Sequence, residues 1–194
     1  MKKNLVFLVI STLLLVTTGM VYIPKFLNQG LHGIELTFLA NLGSGLLLLY
    51  DGIQGICKKN SLPQYWYLTA DVIMIGVLLV CLYCIGEANF SGPFLFLHIL
   101  NPIIFTILVV TSTYQGPIKL RKACCSILII TILYLIYVIA YGYQSGDWLY
   151  SIINIPEKGL MYVLLFSTIV LAIIQVIGFI IYHISKWYYL KSNE

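Results

Sequence analysis

The sequence predicts an all-α integral membrane protein, a bundle of six transmembrane helices that forms one polytopic membrane domain over residues 1–194. Two observations predict this class. The chain is 60% hydrophobic and only 9% charged, whereas a soluble domain is about 25% charged. In addition, six apolar segments alternate with short polar loops, and each is close to the ~20 residues that a bilayer-spanning helix needs. Because a spanning segment must satisfy its own backbone hydrogen bonds in lipid, each segment is expected to be helical.

Proline, glycine and charged residues separate the six segments, and such residues commonly begin or end helices. Pro24 is expected to end the first helix. That first segment follows two lysines, as a signal peptide would. Its apolar run of about 19 residues is long enough to span a bilayer, however, and no A-x-A-like cleavage site follows, so we expect a retained helix. The predicted spans are Leu5–Ile23, Gly33–Ile56, Tyr65–Gly86, Pro93–Thr113, Ala123–Tyr141 and Gly159–His183.

The loop charges predict the orientation, because cytoplasmic loops carry an excess of lysine and arginine. One side of the predicted bundle holds only Lys25 and Lys158. Both termini are therefore expected to be cytoplasmic, on the side that holds the other nine basic residues, which are Lys2, Lys3, Lys58, Lys59, Lys119, Arg121, Lys122, Lys186 and Lys191. Since these charges are spread over short loops, the net charge of +4 does not indicate nucleic-acid binding. The short chain and its Lys/Ile/Asn-rich composition favour a bacterial cell membrane.

Two polar clusters lie inside predicted spans, and intramembrane polar residues are functional or helix-contact candidates. Glu35, Thr37 and Asn41 open the second segment, and His98 and Asn101 lie in the fourth. Both segments enter from the outer face. Thr37 and His98 each lie about five residues inside, roughly 7–8 Å below that interface. We therefore expect the two clusters to meet if these helices are neighbours.

A threonine and a histidine at one depth are sufficient for nucleophilic catalysis. A threonine hydroxyl attacks only when a neighbouring base removes its proton, and histidine is the usual base. Such a pair just beneath the headgroups would suit an ester-linked lipid. Structural roles remain open, because membrane threonines commonly bond their own helix and histidines commonly make one interhelical hydrogen bond.

Three patches of sequence resemble the androgen-induced protein family and its bacterial six-pass relatives. They are Glu35-Leu36-Thr37-Phe38, Phe94-Leu95-Phe96-Leu97-His98 before an Asn-Pro pair, and Gly146-Asp147-Trp148-Leu149-Tyr150 continuing through Pro156-Glu157-Lys158-Gly159. Vertebrate members, including the androgen-dependent regulators of tissue factor pathway inhibitor, are multi-pass threonine hydrolases that cleave fatty-acid esters of hydroxy fatty acids. The resemblance implies Thr37 as the nucleophile and His98 as the base. After the threonine, however, the chain is more like the bacterial relatives, for which no substrate is implied.

Further residues are expected near this pair. Asn41, one turn below Thr37, is a candidate oxyanion donor or orienting group, and Asn101 is a candidate for orienting the imidazole; interhelical bonding is the alternative for both. Glu35 and His32 are expected at the outer mouth of the pocket. Three residues of the last outer loop are expected to cap it, namely Asp147, Trp148 and Tyr150.

No metal and no organic cofactor are predicted. His32, Glu35 and His98 offer nitrogen and oxygen ligands that suit zinc, but no H-E-x-x-H pattern accompanies them. Gly43 and Gly45 are expected to allow close helix approach.

The sequence thus favours a membrane-embedded hydrolase of lipid-like esters, whose partners are the bilayer and a membrane lipid or fatty-acid ester substrate. The alternatives are a six-helix subunit that binds or transports a small solute, with His98 and Glu35 as solute ligands, and a non-catalytic membrane assembly protein.

Overall fold

The computed structural model describes residues 2–29, 34–57, 62–83, 91–113, 120–192 and 194, and within these ranges every regular element is a helix. Six helices are long and apolar enough to cross a membrane. This result confirms the predicted class of a six-helix membrane protein. The uninterrupted helices are α1 (Lys2–Gln29), α2 (Leu36–Ile56), α3 (Gln64–Tyr83), α5 (Leu120–Ser145) and α6 (Leu160–Ser192).

The fourth spanning helix, α4, changes its hydrogen-bond pattern along its length. It begins as Pro93–Leu95, becomes π-helical over Phe96–Leu100, returns to an α-helix over Asn101–Leu108 and ends with a second π-helical stretch at Val109–Thr113. The first π-turn lies immediately before Pro102, which has no backbone N–H and cannot continue the ordinary ladder. π-Turns inside α-helices frequently mark functional sites.

The expected end of the first helix at Pro24 is wrong, because α1 runs through this proline to Gln29. The additional turn is packed against the start of α2. The ring of Phe26 meets the ring of Phe38 edge-on at a centroid distance of 5.4 Å, and Tyr22 packs on Phe38 at 4.9 Å. These contacts hold the chain helical beyond the point where proline removes one backbone donor.

Two features of the packing position the site. α3 lies centrally, because it packs against α2, α4, α5 and α6. α1 and α2 form the closest pair, and glycines on α2 allow that approach: a Cβ atom at Gly45 would lie 2.8 Å from the Leu15 side chain. Gly43 has open space around it, so the expectation of close approach holds for Gly45 and is wrong for Gly43.

Between α5 and α6 the chain forms a 3-10 turn at Ser151–Ile153 and a one-turn helix at Ile155–Lys158. Asn154 caps that short helix, since its side chain accepts the N–H of Glu157. A small apolar cluster packs beneath this connection, centred on Val138, Ile153 and Val163. The connection is therefore anchored to the C-terminal end of α5 and the N-terminal end of α6.

Candidate functional site

The polar residues of α2 and α4 come together around the side chain of Asn41. Its amide nitrogen donates to the carbonyl of Thr37, one turn earlier on α2, at 2.9 Å, and to the carbonyl of Leu97 on α4 at 3.1 Å. Asn41 is completely buried. The amide thus links the backbone carbonyl of Thr37 to that of Leu97, the residue that precedes His98.

The irregular hydrogen bonding of α4 explains why Asn41 can bind Leu97. In the π-turn, the N–H of Asn101 bonds to the carbonyl of Phe96, so it is not the donor to the Leu97 carbonyl. The π pattern would instead pair the Leu97 carbonyl with residue 102, which is a proline and has no N–H. A buried carbonyl without a donor is costly. The side chain of Asn41 supplies that donor from the neighbouring helix.

Asn101 extends this network to α1. Its amide nitrogen donates to Asn41 Oδ1 at 2.8 Å and to Thr17 Oγ1 at 3.0 Å. The Thr17 hydroxyl in turn bonds to the Leu13 carbonyl of its own helix. Because an amide carries two hydrogens, both Asn41 and Asn101 use all their donors within the bundle. In this arrangement neither has a hydrogen available for an oxyanion, and Asn101 does not orient the imidazole.

The His98 ring is oriented by its own helix. Its Nδ1 lies 3.0 Å from the Phe94 carbonyl, and the two rings stack at a centroid distance of 6.2 Å. A carbonyl only accepts, so the neutral imidazole carries its hydrogen on Nδ1 and its lone pair on Nε2. The half-buried ring therefore presents Nε2 as a basic nitrogen. This is the tautomer that a general base needs.

Thr37 is the second residue of α2 and is 8% exposed. In the described part of the chain, no hydrogen bond joins its hydroxyl to the His98 ring. The two residues thus lie on helices that Asn41 links, and the described hydrogen bonds do not include the nucleophile–base contact.

The N–H groups at the start of α2 offer a second chemical feature near Thr37. The first N–H groups of a helix have no partner within it. The N–H of Leu36 bonds to the Tyr150 hydroxyl at 3.1 Å, and that of Leu39 bonds to the Glu35 carbonyl. The N–H groups of Thr37 and Phe38 make no hydrogen bond to the described side chains. They lie at the amino end of α2, in the same turn as the Thr37 hydroxyl.

Glu35 immediately precedes α2 and lies at the end of this region. Tyr22 donates to its Oε2 at 2.7 Å, and the Lys25 ammonium forms an ion pair with its Oε1. The predicted neighbour of Glu35, His32, lies outside the described residues. The described hydrogen-bond and ion-pair partners of this carboxylate therefore come from α1.

Two tyrosines close a hydrogen-bonded chain around the first residues of α2. The N–H of Leu36 donates to Tyr150, the hydroxyls of Tyr150 and Tyr134 lie 3.1 Å apart, and Tyr134 donates to the Ile34 carbonyl at 3.2 Å. An N–H only donates and a carbonyl only accepts, so the proton order is fixed from Leu36 through Tyr150 and Tyr134 to Ile34. Burial raises the pKa of Tyr150, which keeps its hydroxyl protonated at neutral pH.

The three loop residues that were expected to cap the pocket differ in position. Tyr150 reaches α2 as described. Trp148 instead covers Gly142 on α5, where a Cβ atom would lie 2.6 Å from the indole. Asp147 is exposed, and its described hydrogen bonds go to Ser145. Only Tyr150 therefore contacts the start of α2.

The structure describes an open apolar groove of about 490 Å³ on α1, lined by Leu15, Val16, Gly19, Met20, Ile23 and Pro24. It is not lined by Thr37 or His98. Within the described ranges, no three His, Cys, Asp or Glu side chains are grouped as a metal site.

Sequence reasoning did not identify Thr17, Tyr22, Lys25, Tyr134 and Tyr137 as members of this region. Tyr137 accepts the N–H of Ile34 at 2.6 Å. The spacing of Tyr134 and Tyr137 could have indicated a shared role, because residues three apart lie on one face of a helix. Tyr22 and Lys25 are also three apart. Thr17 carried no such signal, because its partner lies 84 positions away in the chain.

In comparisons with known proteins, no family model, no curated protein and no solved structure matches this chain.

Proposed function

We propose that this protein is a membrane-embedded hydrolase of lipid-like esters, with Thr37 as the nucleophile and His98 as the general base. The observation that carries the proposal is the double hydrogen bond of Asn41 to the carbonyls of Thr37 and Leu97. It supports the pairing because it links the backbone of Thr37 to that of Leu97, the residue before His98. The hydrogen bond from Nδ1 to Phe94 leaves Nε2 free to accept a proton.

The reaction follows from these groups. The Thr37 oxygen attacks the ester carbonyl carbon while Nε2 of His98 takes the hydroxyl proton. The tetrahedral intermediate expels the alcohol, which receives that proton from the imidazolium, and an acyl ester remains on Thr37. Water then attacks this ester with His98 again as the base. The acid is released and the Thr37 hydroxyl is regenerated.

Backbone N–H groups are the proposed stabilisers of the negative oxygen in both intermediates. The N–H groups of Thr37 and Phe38 lie at the amino end of α2, where the helix dipole also favours negative charge. This assignment replaces Asn41 as the oxyanion donor, because both amide hydrogens of Asn41 are already bonded. Asn41 is instead a positioning residue.

Substrate binding must complete the catalytic pair. The hydroxyl and the imidazole share no hydrogen bond in the described structure, and catalytic hydrogen bonds commonly tighten only when substrate is bound. An ester entering from the surrounding lipid would place its carbonyl at this depth.

The resemblance of the Leu36-Thr37-Phe38 and His98 regions to the androgen-induced protein family supports the same assignment. In that family a threonine and a histidine cleave fatty-acid esters. We propose the wider class of lipid-like esters here. A bacterial cell membrane as the location is a proposal that rests on composition and chain length.

A fluorophosphonate lipid probe tests the proposal, because it labels an activated hydroxyl covalently. Purified protein in lipid nanodiscs should be labelled, Thr37→Ser should retain labelling, and Thr37→Val and His98→Gln should lose it. The matched controls are Thr168→Val and His183→Gln, since both side chains are exposed on α6. Equal labelling of all five variants, or none of the folded wild type, contradicts the hydrolase.

A second candidate is a non-catalytic membrane assembly protein, in which the polar residues only hold helices together. The complete use of the Asn41 and Asn101 hydrogens within the bundle favours this function. It predicts that Thr37→Val and His98→Gln leave all measured properties unchanged while Asn41 variants unfold.

A further inference from the structure

A second buried polar site lies on α3, away from Thr37 and His98. Asp71 has no exposed surface. It lies seven residues after the first residue of α3, about 10 Å along the helix axis at ~1.5 Å per residue. Its neighbours in the chain, Val72 and Met74, are completely buried in the main apolar cluster. The carboxyl group is therefore inside the bundle, well away from the ends of the helix.

The two oxygens of this carboxyl group have different surroundings. Thr106 on α4 donates its hydroxyl to Oδ1 at 2.7 Å. Oδ2 is buried and has no hydrogen-bond partner among the described residues. A carboxylate oxygen normally accepts several hydrogen bonds, so an ionised Asp71 would lack most of its partners.

No described cation compensates a charge at Asp71. The ion pairs of the described residues are Lys25 with Glu35 and Lys158 with Glu157. The helices that pack against α3 carry titratable or charged groups toward their ends. None of these groups is described in contact with Asp71. They include Asp51 on α2 and Glu35 just before it, His98 on α4, Arg121 and Lys122 on α5, and His183 and Lys186 on α6.

We propose that Asp71 is a proton-binding site in the core of the bundle, holding a proton on Oδ2 at neutral pH. An isolated buried carboxylate is unstable relative to its neutral form. The neutral acid fits the observed asymmetry, because its carbonyl oxygen Oδ1 accepts from Thr106 and its hydroxyl is Oδ2. The ligand of this site is a proton, and Thr106 orients the group that carries it.

Infrared spectroscopy tests this proposal directly, because a neutral carboxylic acid has a C=O stretching band that a carboxylate lacks. Protein in lipid nanodiscs at neutral pH should show the band, and ¹³C-labelled aspartate should shift it. The chain has three aspartates, Asp51, Asp71 and Asp147, so only three side chains could give rise to the isotope-shifted band. Asp71→Asn should abolish the band. Thr106→Val should move it to higher frequency, since the carbonyl loses its donor.

Asp51→Asn is the matched control. Asp51 is also buried on a spanning helix, but it accepts the N–H of Leu62 at 3.0 Å and lies in the field of the Lys3 ammonium. The band is assigned to Asp71, so the Asp51→Asn variant should keep it. The isotope shift needs no substitution and therefore stands even if a variant fails to fold. Absence of an aspartic acid band in the folded wild type overturns the proposal, as does its persistence in Asp71→Asn.

Discussion

The side-chain amide of Asn41 donates to the carbonyl of Leu97 at 3.1 Å, where a continuing π-helix would need an N–H from Pro102. Pro102 on α4 thus lacks the backbone donor, and Asn41 on α2 supplies a side-chain donor in its place. The same amide donates to the carbonyl of Thr37. A single side chain therefore satisfies the backbone of α4 and links it to the start of α2.

Replacing Asn41 with alanine should destabilise the bundle. The change leaves the Leu97 carbonyl without a donor and removes the acceptor of Asn101, and interhelical hydrogen bonds in membranes are worth about 0.6–2 kcal/mol. Reversible unfolding in bicelles measures the effect. Ser44→Ala is the control on the same helix, because the buried Ser44 hydroxyl has no described partner and its removal should change the free energy of unfolding little. An Asn41 variant as stable as wild type would contradict this role.

Pro102→Ala should reduce the loss in unfolding free energy that replacing Asn41 causes. The new backbone N–H can bond to the Leu97 carbonyl, so the two substitutions should be less than additive. Residues in one hydrogen-bond network couple by about 0.5–3 kcal/mol. A double-mutant cycle of Asn41→Leu and Pro102→Ala, measured by unfolding, gives this energy. Strict additivity would show that Pro102 is not the cause of the unpaired carbonyl.

Gly45→Val should destabilise the α1–α2 pair, whereas Gly43→Val should not. A Cβ atom at Gly45 would lie 2.8 Å from Leu15 Cδ2 and 3.3 Å from Leu14 Cβ, and a Cβ atom at Gly43 would meet nothing within 4 Å. Overpacking commonly costs about 1–3 kcal/mol. The two variants differ from each other only in position, so a comparison of their unfolding free energies isolates the contact with α1. Equal effects would argue against the close approach.

Tyr150→Phe should loosen the start of α2. The phenol accepts the N–H of Leu36 and continues the chain to Tyr134, so its loss leaves a helix-start N–H without its acceptor. Amide hydrogen exchange should accelerate at Leu36 and in the 3-10 turn at Ser151–Ile153. Tyr143→Phe is the control, because Tyr143 is an exposed tyrosine of α5. Unchanged exchange at Leu36 in Tyr150→Phe would show that the Tyr150 hydroxyl does not stabilise the start of α2.

The sequence alone determined that six helices cross the membrane, because composition and segment length are properties of local stretches of chain. It also predicted that the polar residues of the second and fourth segments would be adjacent, since depth follows from counting residues along a helix. It failed at Pro24, where packing of Phe26 and Tyr22 on Phe38 overrides a local helix-breaking signal.

Only the tertiary structure decided what each polar side chain contacts. The interhelical hydrogen bonds of Asn41 and Asn101 join residues 56 to 84 positions apart in the chain. The same holds for Asp71, whose partner Thr106 lies 35 positions away in the chain. Which face of a helix meets which neighbour depends on the packing of the whole bundle, and no local pattern specifies it.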